Sequence, residues 1–188
     1  MKKSSIFDPQ VIHSVALDHL GPPSVDHFDR LIAALAARYP GQIHGDQPWV
    51  FSNAGGVMIQ MKVLHASLNE YILIWGTAIG TEGHSGRNPA EFYDTVLHGE
   101  AWYGREGRFE RDVYRPGDHI IVGKRESTGI RVDDSVWMVE YARGPVWRLL
   151  PFGLADSIFS TLDFATVVRT LRVYIALSRR GWGRRASP

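Results

Sequence analysis

The chain has 188 residues, with 21 Lys+Arg against 20 Asp+Glu, 44% hydrophobic residues and no Cys. That length makes one ordinary domain with a sizeable core, and the lack of cysteine excludes zinc ribbons, disulfide scaffolds, thiol nucleophiles and iron–sulfur clusters. A formal charge of +1 argues against a nucleic-acid partner.

The start, Met1-Lys2-Lys3-Ser4-Ser5, carries the positive charge of a signal peptide, but Asp8, Pro9, Gln10 and His13 interrupt the apolar region that should follow. Spanning a bilayer takes about 20 mostly apolar residues in succession, and the sequence has no such run. The expected location is cytoplasmic or peripheral on a membrane.

In chain order, Val25, Phe28, Leu31, Ile32, Leu35 and Ala36 recur at helical spacing until Pro40-Gly41, which predicts an amphipathic helix in a helical N-terminal segment over residues 1–45. Residues 46–144 then turn to short β-rich runs at 49–52, 57–64, 71–74, 101–103, 119–122, 130–132 and 136–141, separated by turn residues, which points to a sandwich or barrel. One helix is predicted inside this region. Asn88 can cap it, Pro89 suits its first position, Glu91 completes a capping box and Gly99 can stop it, so Asp94 falls within a helix. Residues 145–180 are helical again, with Phe164, Val167, Val168, Leu171, Tyr174 and Ile175 on one stripe, and 181–188 form a loose basic tail.

Glu140 is the most informative residue on physical grounds. Strand alternation puts it on one face with Val136 and Met138, while Trp137, Val139 and Tyr141 make the other face equally apolar. A carboxyl in such surroundings resists ionisation and can hold a proton near neutral pH. The structural alternative is an ion pair with Arg143 or Arg131. Asp94 gains meaning only if the fold brings it to Glu140, because two carboxyls in one dry site compete for a proton. Tyr71, Leu73 and Trp75 share a strand face that is either core or a cavity wall carrying a phenol. Metal-binding cupins require a His-x-His pair, and His65, His84, His98 and His119 are scattered, so no metal and no cofactor is expected. His84-Ser85-Gly86 reads as a turn rather than a nucleophile elbow, and Gly55-Gly56 as a tight turn or a close backbone approach.

Seven blocks carry a resemblance: WVFSNAGG (49–56), LHASLNEY (64–71), GTAIG (76–80), GHSGR (83–87), AEFYDT (90–95), WMVEYARG (137–144) and ADSIFSTLDF (155–164). In order and interval they closely resemble the family containing fungal C-8 sterol isomerase and the sigma-1 receptor, over residues 7–174. The resemblance implies an α+β, mainly β fold: a cupin-like β-barrel with two C-terminal amphipathic helices over the pocket mouth. It also implies that Glu140 and Asp94 are the catalytic carboxyl pair, that Tyr71 hydrogen-bonds the glutamate, and that Leu73, Trp75, Met61, Phe92, Leu150 and Tyr174 line the ligand pocket.

What the resemblance implies about activity is either a sterol C8–C7 isomerase or a non-catalytic receptor-like module holding hydrophobic amines. The implied partners are a sterol-like or isoprenoid lipid, hydrophobic amines, a membrane surface met by the C-terminal helices, and two further copies in a homotrimer. The family's N-terminal membrane helix is not expected here. Gly55 is followed four residues later by Ile59, where the family has a second glycine, and Val57 stands where the receptor has tryptophan.

Overall fold

A computed structural model describes residues 5–183. Its first element, α1 (Pro9–Leu17), starts at Asp8, whose carboxylate accepts the Gln10 N–H at 2.9 Å, with Pro9 in the first helical position. The periodicity argument had not separated this nine-residue helix from its surroundings. The predicted amphipathic helix is α2 (Val25–Arg38), capped by Ser24 and burying Phe28, Leu31, Ile32 and Leu35.

Ten strands follow: β1 (Val50–Ala54), β2 (Val57–Ala66), β3 (Glu70–Thr77), β4 (Thr81–His84), β5 (Glu91–Gly99), β6 (Ala101–Arg105), β7 (Asp112–Tyr114), β8 (His119–Val122), β9 (Thr128–Val132) and β10 (Val136–Arg143). They form a six-stranded sheet in the order β1-β2-β3-β10-β5-β8 and a four-stranded sheet in the order β4-β9-β6-β7. The α+β, mainly β, cupin-like class expected from sequence holds, with the strands in two antiparallel sheets instead of one hydrogen-bonded cylinder.

The central strands β3, β10 and β5 of the larger sheet are largely buried on both faces, as the double-sided apolar pattern of β10 requires. Trp137, Val139 and Tyr141 pack with Phe28, Leu31 and Leu35 under the N-terminal helices. Val136 and Met138 pack with Trp75, Val96, Tyr103, Ile120 and Val132 between the two sheets. Withdrawing one such side chain from water contributes about 1.5–3 kcal/mol.

The helix predicted over residues 88–99 does not form. Glu91–Gly99 is strand β5, paired with β10 on one side and β8 on the other. Phe92, Tyr93, Thr95 and Val96 favour a pleated, buried surface, and a central place in the sheet satisfies their backbone groups on both sides. The apparent capping residues serve elsewhere: Asn88 donates to the Ser85 carbonyl at 2.8 Å, and Glu91 is ion-paired with Arg143 at 2.7 Å.

After a 3-10 turn (Val146–Leu149) come α3 (Leu150–Phe159) and α4 (Phe164–Gly183). The inward face of α4 is Thr166, Val173 and Leu177, whereas Phe164, Val168 and Ile175 of the predicted stripe are exposed. The sequence shows that the helix is amphipathic, but its rotation is set by the β1–β2 surface beneath it. Helix α4 continues to Gly183, three residues into the expected tail, and 184–188 lie outside the described residues. No helix among the described residues is long and apolar enough to cross a membrane.

Candidate functional site

Between the two sheets, beneath α3 and α4, lies a cavity of about 250 Å³. Met61, Tyr71, Leu73, Trp75, Phe92, Asp94, Glu140, Leu150 and Tyr174 all border it, and among the described residues no Lys or Arg does. Strand alternation accounts for most of this placement. Tyr71, Leu73 and Trp75 are at alternate positions on β3, Phe92 and Asp94 on β5, and Met138 and Glu140 on β10.

Antiparallel pairing sets Glu140 directly opposite Asp94 on one side and Leu73 on the other. Side chains opposite each other on neighbouring strands project to the same face about 5 Å apart, which brings the two carboxyls into hydrogen-bond contact. Asp94 is only 3% exposed. Glu140 keeps partial exposure because its carboxyl borders the cavity, not because it reaches the outer surface. Neither arginine offered as a structural partner meets it: Arg143 pairs with Glu91 and Arg131 with Asp133, each at 2.7 Å.

Tyr71 donates to Glu140 Oε1 at 2.5 Å, and the Trp75 indole N–H donates to Asp94 Oδ1 at 3.4 Å. These donors divide the pair. Burial pushes the Asp94 carboxyl well above the usual carboxylate range, and the neighbouring Glu140 pushes it further, opposed only by Trp75. Burial raises Glu140 as well, but hydrogen bonds from Tyr71, Asp94 and Trp75 pull it back. The pair therefore resists double ionisation, and the short bond from Tyr71 favours negative charge on Glu140 over Asp94.

Tyr103, on β6 of the opposite sheet, also faces the pair. It is 2% exposed, borders the cavity, and its phenol is driven well above its ordinary value by burial and then by Asp94 and Glu140. The sequence reading had not singled it out, although the alternation of Ala101 and Tyr103 within a predicted strand was an available signal. Ser85, Asn88 and Thr128 border the cavity too and were likewise missed, because Ser, Asn and Thr near turns carry no distinctive pattern.

The histidines do not converge. His65 is buried with Nδ1 against the Gln42 carbonyl at 2.9 Å, His84 ends β4 with its backbone N–H donating to the Gly55 carbonyl at 2.8 Å, and His119 stacks on His13 at 4.4 Å. Among the described residues no group of three or more His, Asp or Glu is arranged as metal ligands would be.

Gly55 sits at φ +61°, and a Cβ there would lie 2.2 Å from the His84 carbonyl oxygen and 2.8 Å from the Phe152 ring. The turn thus lets β4 and α3 close over the cavity, and Asp156 on α3 accepts the Gly56 N–H at 2.8 Å.

The pattern of the family described as ERG2 and Sigma1 receptor like protein matches residues 1–178. The chain is 46% identical over 173 residues to sigma non-opioid intracellular receptor 1 of Gallus gallus, covering 89% of this chain and 77% of that protein. It is 40% identical over 172 residues to the C-8 sterol isomerase erg2 of Aspergillus fumigatus, covering 89% and 72%. A solved structure of a predicted oxalate decarboxylase from Thermotoga maritima aligns with 54% of this chain and 97% of that chain, at 14% identity and a TM-score of 0.47.

Proposed function

The chain belongs to the ERG2 and Sigma1 receptor like protein family, and from that premise we propose that it is a sterol C8–C7 isomerase-like protein in which Asp94 and Glu140 move the protons. The observation that carries this reading is the hydrogen-bonded carboxyl pair facing an apolar cavity that no cationic side chain among the described residues borders.

The reaction follows from the division of labour in the pair. Asp94 donates its proton to C9 of the C8=C9 double bond, which leaves a tertiary cation at C8. The Glu140 carboxylate, held by Tyr71, stabilises that cation in surroundings where water cannot screen the attraction. A proton then leaves C7 for Glu140, its C–H electrons close the C7=C8 bond, and the new proton passes across the carboxyl pair to reset it. No oxidant, cofactor or metal is required. A protonated hydrophobic amine places its charge where the cation would form, which accounts for amines as ligands of the same cavity.

The test is to incubate the protein with a Δ8-sterol in deuterated water. The expected product is the Δ7 isomer carrying deuterium at C9. A second reading, a receptor-like module with the same cavity and no turnover, is favoured by the 46% identity to a protein named as a receptor. Well-folded protein that binds a hydrophobic amine but leaves the sterol unchanged would establish that alternative.

Peripheral membrane contact and a homotrimer belong to the same proposal. Phe159, Leu162, Phe164, Val168 and Ile175 on and between α3 and α4 are exposed, with Arg169 and Arg172 beside them, a composition suited to a lipid interface. Co-sedimentation with anionic liposomes and sedimentation equilibrium test the two points, and a monomer that stays in the supernatant rejects both.

A further inference from the structure

The Thr128 hydroxyl is the one polar group on the cavity wall that has no hydrogen-bond partner among the described residues while being fully enclosed. Thr128 is 2% exposed. The alternating burial of β9 turns Thr128, Ile130 and Val132 inward, and both Thr128 and Ile130 border the cavity.

Its neighbours do not satisfy it. Ser85 is bound to the Thr128 backbone twice, accepting the Thr128 N–H on Oγ at 2.9 Å and donating its own N–H to the Thr128 carbonyl at 2.9 Å. The Ser85 hydroxyl donates to the Gly86 carbonyl at 3.3 Å, and the Asn88 amide donates to the Ser85 carbonyl at 2.8 Å. These bonds hold Thr128, Ser85 and Asn88 in place and leave the Thr128 Oγ1, on a residue that borders the cavity, without a partner among the described residues. Buried hydroxyls in folded proteins are nearly always paired, so the arrangement calls for a partner supplied from the cavity.

Resting on the sterol reading of the cavity, we propose that Thr128, framed by Ser85 and Asn88, is a second polar subsite that binds one neutral hydroxyl or carbonyl oxygen of an elongated ring lipid. Its chemistry differs from that of the carboxyl pair: Arg105, opposite Thr128 on β6, does not border the cavity and is engaged with Asp112 at 2.8 Å and the Tyr114 hydroxyl at 3.3 Å. It therefore suits a neutral oxygen, not an ammonium group. Asn88 and Asp94 are six positions apart, at most about 20 Å of extended chain, so one ligand can reach both ends. A lipid held this way is fixed in register, with its double bond at the carboxyl pair and its polar oxygen at Thr128.

The experiment measures equilibrium binding of a Δ8-sterol bearing a 3-hydroxyl and of its 3-deoxy analogue to the purified protein and to Thr128→Val and Thr128→Ser. Wild type is expected to bind the 3-hydroxy sterol roughly tenfold more tightly than the 3-deoxy one. Thr128→Val should erase that preference by weakening only the hydroxylated ligand, with an unchanged or higher melting temperature, because it deletes an unpaired hydroxyl without changing shape. Thr128→Ser should retain the preference. The subsite is overturned if Thr128→Val keeps the discrimination, weakens both ligands alike or melts markedly lower, or if wild type binds both sterols equally. Wild type that binds neither sterol rejects the sterol reading itself, and the subsite with it.

Discussion

Tyr141 donates a 2.7 Å hydrogen bond to Glu70 across the same strand pair in which Tyr71 donates to Glu140. Each strand carries a Glu-Tyr dipeptide, Glu70-Tyr71 on β3 and Glu140-Tyr141 on β10. Strand alternation sends one pair to the cavity and the other to the opposite face. The two glutamates have different work there. Glu70 also accepts the Ile6 N–H on both oxygens, at 3.1 and 3.0 Å, and fastens the segment leading into α1.

Glu70→Gln is accordingly expected to destabilise the fold by about 1.5–3 kcal/mol, the range for hydrogen bonds to a charged group, without altering the chemistry of the cavity. Urea denaturation gives the stability and amine binding reports the cavity. A variant as stable as wild type would show that the N-terminal segment is held by packing alone.

Asp94→Asn should flatten the dependence of stability on alkaline pH. The folded state raises Asp94 far above its unfolded value, so between the two values the folded chain keeps a proton that the unfolded chain has released. Stability from this residue is complete below the ordinary carboxylate range and is lost as pH rises toward the raised value. Removing the ionisable group removes that loss, although Glu140, raised in the same direction, retains part of it. Urea midpoints at pH 5 and pH 8 are expected to differ less for the variant, and under the proposed isomerase function sterol turnover is lost. An unchanged difference between the midpoints would contradict the burial argument.

Tyr71→Phe removes the donor that most lowers Glu140. The glutamate should then ionise at higher pH, moving the acid limb of the pH–rate profile of sterol turnover upward. Loss of a hydrogen bond to a charged group corresponds to about a 10- to 100-fold decrease at neutral pH. A lower rate with an unmoved pH profile would assign Tyr71 to ligand positioning instead.

Two glycines separate backbone need from available space. Gly55→Ala forces a side chain onto a left-handed residue against the His84 carbonyl and Phe152, and is expected to cost at least about 2 kcal/mol while displacing α3 from the cavity. Gly153→Ala, inside α3 with nothing within 4 Å of the added carbon, should instead stabilise by about 0.5–1 kcal/mol through helix propensity. Thermal melts of the pair check the contrast, and equal melting temperatures would refute it.

Local sequence was sufficient for the features that depend on a strand's own two faces. The doubly apolar run around Glu140 announced a buried strand with an embedded carboxyl, and the 3.6-residue spacing of Phe28, Leu31, Ile32 and Leu35 announced α2. It misled at Asn88-Pro89-Ala90-Glu91, where a capping signature that holds in isolated helices was outweighed by the two neighbouring strands that give β5 its hydrogen bonds.

Residue order alone thus determined which side chains are apolar, where strands alternate and that one acid would be stranded among them. Tertiary structure decided everything that depends on register between distant segments: Asp94 opposite Glu140, Tyr103 facing them from the second sheet, and the Thr128 hydroxyl enclosed without a partner among the described residues. The reason is physical. Alternation is a property of a single strand, whereas pairing is chosen by the summed burial and hydrogen bonding of the whole sheet, and a one-residue slip would turn each of these groups to the opposite face.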